Sequence, residues 1–436
     1  IISSTFKLTP ALFANIGDKP PRWQSMRVLV RDVVIDGKKI QICTDMFAIK
    51  LSAAIVNITI SDSQIKNHVA NCKYRDKISA LRVYGRQSSI KIYSHIFLSN
   101  VLVENNRNNW FTLRLDGVYS GFVKIVIQDS IFRNNSAALW LGSIGGRLDM
   151  ATSPTVFLEN NTFVDNVYED HKPNGAAAIY FSRSTSRVST CRFLDNKAGK
   201  NPYTGVITIS VSARVTFFDT YFENRQKNEQ SNQLFALGNQ FLRFVGHTTI
   251  NLVALKQRQS VFIHIPTGAS TGVIVSKNFK ILCPQSYKLT QKRFCTLDKT
   301  VNVCYYLNVE CEQCPTKTYT VERGELIFNI TNSNQCQQCP RGGDCDDGLI
   351  KAKPNFWGYK TKMKVYFIQC PPGYCCKSKD CTTYDCCCGN RSGTLCGQCS
   401  KGMSETLFST HCISNTKCSL NYFFIFGMTG FVALYL

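Results

Sequence analysis

The chain has 436 residues, 44% of them hydrophobic, with 51 Lys and Arg against 29 Asp and Glu and with 22 cysteines. This length and apolar content exclude a disordered chain and a single small domain, and a formal charge of +22 excludes a surface indifferent to polyanions. The cysteines exclude a uniform architecture: Cys43, Cys72 and Cys191 precede residue 283, whereas nineteen lie from Cys283 to Cys418, which sets a domain boundary near 282.

In chain order, residues 1–26 read as an N-terminal cap or a truncated segment, since IISSTFKLTP carries no signal peptide. From 27 to 282 the pattern is that of β-strands, rich in Val, Ile, Thr and Phe (VKIVIQDSIF, VITISVSARVTFF). Within it Phe132, Phe163, Phe193 and Phe222 are 31, 30 and 29 residues apart. A period of about 30 residues built from short strands predicts a right-handed parallel β-helix, each coil hydrogen-bonded to the next at about 4.8 Å. The Phe residues then form an interior column. Asn135, Asn166 and Asn196 form a second column at a corner, where Asn tolerates the left-handed backbone and bonds to the next coil; Arg225 replaces the fourth copy. Phe97 with Asn100 and Ile65 with Asn67 extend the signature upstream.

Residues 283–418 read as a disulfide-rich module, the solution of a segment too small for an adequate apolar core in an oxidising compartment. Its Cys-x-x-Cys pairs are Cys311 with Cys314, Cys336 with Cys339, and Cys396 with Cys399. The first two suit a four-thiolate zinc ribbon by spacing, but the number of remaining cysteines and the five Asn-x-Ser/Thr sequons, at Asn57, Asn134, Asn160, Asn329 and Asn390, favour disulfides and no metal. Adjacent cysteines, Cys375 with Cys376 and Cys386 to Cys388, cannot easily bond one another, so each staples a different loop. Residues 419–436 include NYFFIFGMTGFVALYL, sixteen residues without a charge, read as the start of a transmembrane helix.

CQQCPRGGDC, which ends at Cys345, resembles the Cys-x-x-Cys-Pro-x-Gly repeat of ephrin-receptor-like and tumour-necrosis-factor-receptor-like modules. CPPGYCC and CCCGNRSGTLCGQCSKGMSETLFSTHC are similar to the membrane-proximal cysteine modules that follow pectin-lyase-like β-helices in invertebrate and protist surface proteins. The resemblance implies a cell-surface or secreted protein and raises the question of a polysaccharide-cleaving enzyme, which fold alone does not answer.

The catalytic candidate is the column Asn134, Asp165, Asp195, Asn224, in which two stacked acids would lie about one strand spacing apart. The same positions are explained by turn preference. No Asp-Asp, Gly-His-Gly or Arg-Ile-Lys motif accompanies them, and His247 has no evident partner. The expectation is therefore no enzyme and no cofactor.

Residues 283–418 hold 17 basic and 11 acidic residues, the rest of the chain 34 and 18, so the β-helix carries most of the positive charge. The densest cluster is Lys351, Lys353, Lys360, Lys362 and Lys364, which flanks Phe356, Trp357 and Tyr359 with no acid between. Outside the cell such charge is complementary to acidic glycans and surface glycoproteins; nucleic acid is not an expected partner there. The expected function is a membrane-anchored adhesion or recognition protein. A homo-oligomeric surface layer or filament and a glycosidase or lyase are the alternatives.

Overall fold

The computed structural model describes residues 12–14, 25–37, 47–51, 55–69, 79–85, 92–107, 111–117, 121–143, 154–168, 175–198, 204–210, 213–224, 232–237, 241–252, 260–264, 273–275, 278–298, 301–327, 330–332, 335–346, 348–362, 364–377, 381–405, 409–416 and 422–436. They fall into two compact units. One comprises Ile1–Pro284, Leu289–Cys311 and Glu325–Ser333; the other comprises Gln285–Lys288, Glu312–Gly324 and Asn334–Leu436.

The first unit is a parallel β-solenoid. Each coil contributes one strand to each of three parallel ladders. The first ladder runs from Leu12–Ala14 to Ser260–His264. The second runs from Ser25–Arg31 to Val273–Val275. The third, of strands three or four residues long, runs from Val34–Asp36 to Lys280–Leu282. Thus Leu12–Ala14 and the first two residues of Ser25–Arg31, within the segment 1–26 read as an N-terminal cap or truncated segment, already belong to coils.

In the third ladder the middle residue of each described strand points inward, and that position is the Phe column. Phe132, Phe163, Phe193 and Phe222 are direct register partners. Their rings stack at 4.6, 5.0 and 4.7 Å, and all four are fully buried. Those separations match the spacing of hydrogen-bonded strands, so one residue type at one position yields a continuous stack. Val103 and Ile65 occupy the column upstream, Ile250 and Ile281 downstream. Phe97 does not. It lies in Ile92–Ser99 of the second ladder, half-buried and paired with Thr59 and Val126, because its strand precedes the corner rather than following it.

The Asn columns also differ from expectation. The left-handed backbone belongs to the residue before Asn135, Asn166 and Asn196, namely Asn134, Asp165 and Asp195, with φ of 53°, 52° and 52°. Asn135, Asn166 and Asn196 turn inward and are buried. Each Nδ2 donates to the carbonyl of the inward residue of the preceding coil: Asn135 to Val103, Asn166 to Phe132, Asn196 to Phe163, at 2.8–2.9 Å. Asn106, Asn135 and Asn166 also donate to the Oδ1 of the next Asn at 2.9, 3.0 and 2.8 Å. The amides thus tie each corner to the inward strand residue of the preceding coil and to the next amide, so their own buried polar groups are satisfied. Arg225 lies outside the described residues. A second left-handed column, Asp32, Asp62, Asn100, Asp129, Asn160, Thr190 and Asp219, precedes the short strand, so the coils from Asp62 to Asp195 make two sharp corners around four residues.

The last coil is covered. Val301–Gln313 pairs antiparallel with Ser260–His264 and with Val273–Val275, and Glu325–Ile327 pairs antiparallel with Lys280–Leu282. An open ladder end exposes unpaired amides and carbonyls, and these strands satisfy them. Cys283–Cys311 fastens this cap to the final coil. The division between the units is therefore not a single cut at 282, and Cys311 serves the solenoid.

The second unit consists of short antiparallel hairpins held by disulfides. Cys314–Cys336, Cys339–Cys345, Cys370–Cys375, Cys376–Cys388, Cys381–Cys386, Cys387–Cys396 and Cys399–Cys412 are bonded. No Cys-x-x-Cys pair bonds within itself, and the adjacent cysteines all reach separate loops. Its apolar clusters are small: Tyr319, Cys345, Ile350 and Val365 form one, and Cys370, Cys375 and Cys396 another with Trp357 and Tyr374 against it. Covalent staples supply what such cores do not. Arg391 adds a buried cation whose partner carboxylate, Glu405, is exposed. Its guanidinium pairs with Glu405, donates to the carbonyls of Thr410 and Cys396 (3.2 Å for the latter) and stacks 3.9 Å from the Tyr374 ring centroid.

The chain's final element is the helix Tyr422–Tyr435. At 1.5 Å per residue it spans about 21 Å, short of the roughly 30 Å hydrocarbon core. Among the described residues no helix is long and apolar enough to cross a membrane, so the expected transmembrane segment is represented by a short apolar helix.

Candidate functional site

The lysine cluster does not form one site. Lys351–Ala352 pairs with Gly343–Asp344, and the next hairpin pairs Phe356–Thr361 with Lys364–Gln369. Direct cross-strand partners share a face and successive pairs alternate. One face therefore carries Phe356, Gly358, Lys360, Val365 and Phe367, the other Trp357, Tyr359, Thr361, Lys364, Tyr366 and Ile368. Val365 and Phe367 pack into the Tyr319 core, which makes the first face internal. Lys360, at its outer end, pairs with Glu322 at 3.5 Å.

The second face is open. Tyr359, Tyr366 and Ile368 are 37%, 47% and 44% exposed. Trp357 lies over Tyr359 at 6.2 Å and Tyr359 over Tyr366 at 5.8 Å, both pairs near parallel. Trp357 backs onto the Cys370, Cys375 and Cys396 cluster, so the row is fixed at its inner end. Lys364 continues the row, and Lys362 projects from the turn with φ of 46°. Of the three aromatics that accompany the lysines in sequence, Trp357 and Tyr359 face outward and Phe356 inward. Tyr366 and Ile368, which complete the surface, lie beyond the cluster and enter it only through strand pairing.

Lys351 and Lys353 line a different feature, an open cleft of about 810 Å³ bordered also by Lys317, Arg341, Asp344 and Asp346.

The acidic column lies at corners of the coils. Asp165 and Asp195 occupy left-handed corners at the coil surface, where their backbone N–H groups bond to Leu194 and Glu223 of the next coil at 3.1 and 2.8 Å. In the same column Asn134 donates to Asn105 Oδ1 at 2.7 Å. The column is a set of turns, and His247 is exposed with its backbone N–H bonded to Asp219 Oδ1 at 2.7 Å. The sequence did not single out a row across the first ladder, Arg114, Trp140, Tyr180 and Thr208. Arg114 sits 5.2 Å from the Trp140 ring centroid, and burial raises the Tyr180 phenol above its ordinary range. All four are buried, so the row offers no open surface.

Among the described residues, the one group of His, Cys, Asp and Glu close enough to share a metal is Cys376, Cys381 and Cys386. All three are in disulfides, which leaves no thiolate to coordinate. Cys191, the free cysteine among the described residues, is buried, and desolvation pushes its thiol up to about 12. Of the sequons, Asn57, Asn160 and Asn390 are exposed, Asn134 is half-buried in its side-chain ladder, and Asn329 lies outside the described residues. The disulfide content is that of an extracellular or secreted protein. No protein-family model, no curated protein and no solved structure matches this chain.

Proposed function

We propose that the protein is a non-enzymatic recognition protein of the extracellular face that binds acidic glycans. The observation that carries this reading is the outward face of the hairpin Phe356–Gln369: flat, partly exposed Tyr359, Tyr366 and Ile368 in one row with Lys364 in line and Lys362 at the turn. Pyranose rings present apolar C–H faces that stack on such side chains, while carboxylates or sulfates at the ring edge pair with the lysines. The solenoid, taken as right-handed like nearly all parallel crossovers, is the rigid body of a surface protein of the pectin-lyase-like type. The helix Tyr422–Tyr435 is a membrane contact in this reading. Its described side chains from Ile425 to Leu436 are all exposed, and a helix apolar all round is stable in lipid rather than in water.

The alternative of a filament built by end-to-end stacking is disfavoured at one end, where the antiparallel strands Val301–Gln313 and Glu325–Ile327 cover the last coil. The test is retention of the full chain on immobilised heparin at 0.15 M salt. The reading expects saturable retention that falls by at least tenfold in a Tyr359→Ala/Tyr366→Ala variant and more modestly in Lys362→Ser/Lys364→Ser. Equal retention of all three proteins would refute it, and glycan-independent polymers would favour the structural alternative.

A further inference from the structure

Lys351 and Lys353 direct attention to the cleft they line, which the aromatic face does not include. Its walls are two turns and a segment tied to one of them, held by the backbone and by covalent bonds. Lys317 sits left-handed, φ 66°, in a turn closed by Thr318 N–H on Pro315 O at 3.0 Å, and its own carbonyl accepts from Cys339 N–H at 2.9 Å. Arg341 occupies the turn closed by Gly343 N–H on Pro340 O at 3.0 Å, bracketed by the Cys339–Cys345 disulfide. Lys353 is tied to that turn by its N–H on Gly342 O at 2.9 Å. Gly342, φ 89°, admits no side chain, because a Cβ there would meet the Phe356 and Phe367 side chains at 2.6 and 2.8 Å. The cationic side chains therefore stand on a preorganised frame.

Their charge is uncommitted. Among the described residues no ion pair engages Lys317, Arg341, Lys351 or Lys353, whereas Lys360 and Lys288 of the same unit are paired with Glu322 and Glu312 at 3.5 and 3.0 Å. Asp344, directly across the strands from Lys351, and Asp346 share the lining. Four cations and two carboxylates leave an excess of positive charge together with strong acceptors. A bare anion gains from the first and is repelled by the second. A ligand that carries both acidic groups and hydroxyls uses both sets, the hydroxyls donating to Asp344 and Asp346. The volume of about 810 Å³ is in the range of sites for drug-sized ligands, roughly 300–1,000 Å³, the class of a short oligosaccharide rather than a lone ion.

We infer that this cleft is a second glycan site, distinct from the aromatic face, that takes a short acidic oligosaccharide through Lys317, Arg341, Lys351 and Lys353, with Asp344 and Asp346 selecting for its hydroxyls. The inference rests on the acidic-glycan reading above and adds to it a site of defined size.

The probe is a tagged, sulfated uronate-containing disaccharide titrated into the full chain at 0.15 M salt, with inorganic sulfate and the unsulfated, uncharged disaccharide as competitors. The expected result is one site per chain, at least tenfold weaker in Arg341→Gln/Lys353→Gln and unchanged in Tyr359→Ala/Tyr366→Ala. Arg341 and Lys353 are exposed, so a disulfide map identical to that of the parent shows that the fold is kept. Asp344→Asn/Asp346→Asn should weaken the disaccharide but strengthen sulfate. Non-saturable binding, an undiminished Arg341→Gln/Lys353→Gln variant, or equal competition by inorganic sulfate would overturn the inference. If heparin is retained while the disaccharide does not bind, the cleft fails and the aromatic face stands. If the disaccharide binds and Tyr359→Ala/Tyr366→Ala leaves heparin retention intact, the aromatic face fails and the cleft stands.

Discussion

Phe193→Ala removes the centre of the aromatic column. Phe193 is 1% exposed and lies between Phe163 at 5.0 Å and Phe222 at 4.7 Å. A buried Phe removes roughly 150–250 Å² from water; at about 25 cal/mol per Å², and after subtracting what an Ala methyl still buries, the transfer loss is about 3 kcal/mol. Two near-parallel ring contacts add about 0.5–1.5 kcal/mol each. The expected cost is thus about 4–6 kcal/mol, at or just above the upper end of Phe→Ala substitutions, because stacked coils on both sides resist collapse into the cavity. With a urea dependence of about 3 kcal/mol per M, the solenoid's midpoint falls by about 1.5 M. Since coils contact only their neighbours, hydrogen exchange should speed up first at Thr162–Val164 and Tyr221–Asn224 and least at the cap. Arg192→Ala, on the same strand but facing solvent, should change stability by no more than about 0.5 kcal/mol. A Phe193→Ala cost below about 1 kcal/mol, or one equalled by Arg192→Ala, would refute an interior column.

Asn166→Leu keeps the volume but takes the acceptor from the buried Asn135 N–H and removes one bond each from Asn135 Nδ2, the Phe132 carbonyl and Asn196 Oδ1, the last of which keeps the Asn166 N–H. It should cost at least about 3 kcal/mol by denaturant titration, against about 1 kcal/mol or less for Asn160→Gly at a left-handed surface corner. Arg391→Ala leaves the Thr410 and Cys396 carbonyls without their donor and empties the stack on Tyr374, while the exposed Glu405 returns to water, so the second unit should lose about 2–3 kcal/mol in thermal unfolding, and Arg391→Lys should restore only part of it. Cys191 has a folded-state thiol raised to about 12 above an unfolded value near 9, so its stabilising contribution is complete below pH 9 and is lost as pH rises from 9 toward 12. Alkylation of Cys191 at pH 8 should therefore track global unfolding, and rapid labelling of the native protein would contradict its burial.

The sequence determined the repeat. A buried Phe every 29–31 residues is a one-dimensional signal, and parallel stacking converts it directly into a column, so Phe132, Phe163, Phe193 and Phe222 were legible without coordinates. The density of cysteines likewise announced a stapled module, and the adjacency of Cys386, Cys387 and Cys388 already implied separate partners. What sequence could not fix was direction at the corners. Asn134 and Asn135 are the same residue type one position apart, yet one takes the left-handed backbone and the other turns inward to reach the carbonyl of Val103, a choice made by the coil beneath. Phe97 looked like a column member because strand periodicity is the same in all three ladders; only pairing assigns it to the second. The binding surfaces were decided in the same way. Alternation across Phe356–Gln369 separates Lys364 from Lys360, and brings in Tyr366 and Ile368. Turn closure and disulfides gather Lys317, Arg341 and Lys353 from segments far apart in the chain. Composition and period are properties of single residues and were readable along the chain, whereas the face a side chain presents depends on which backbone lies beside it, and that only the tertiary structure decided.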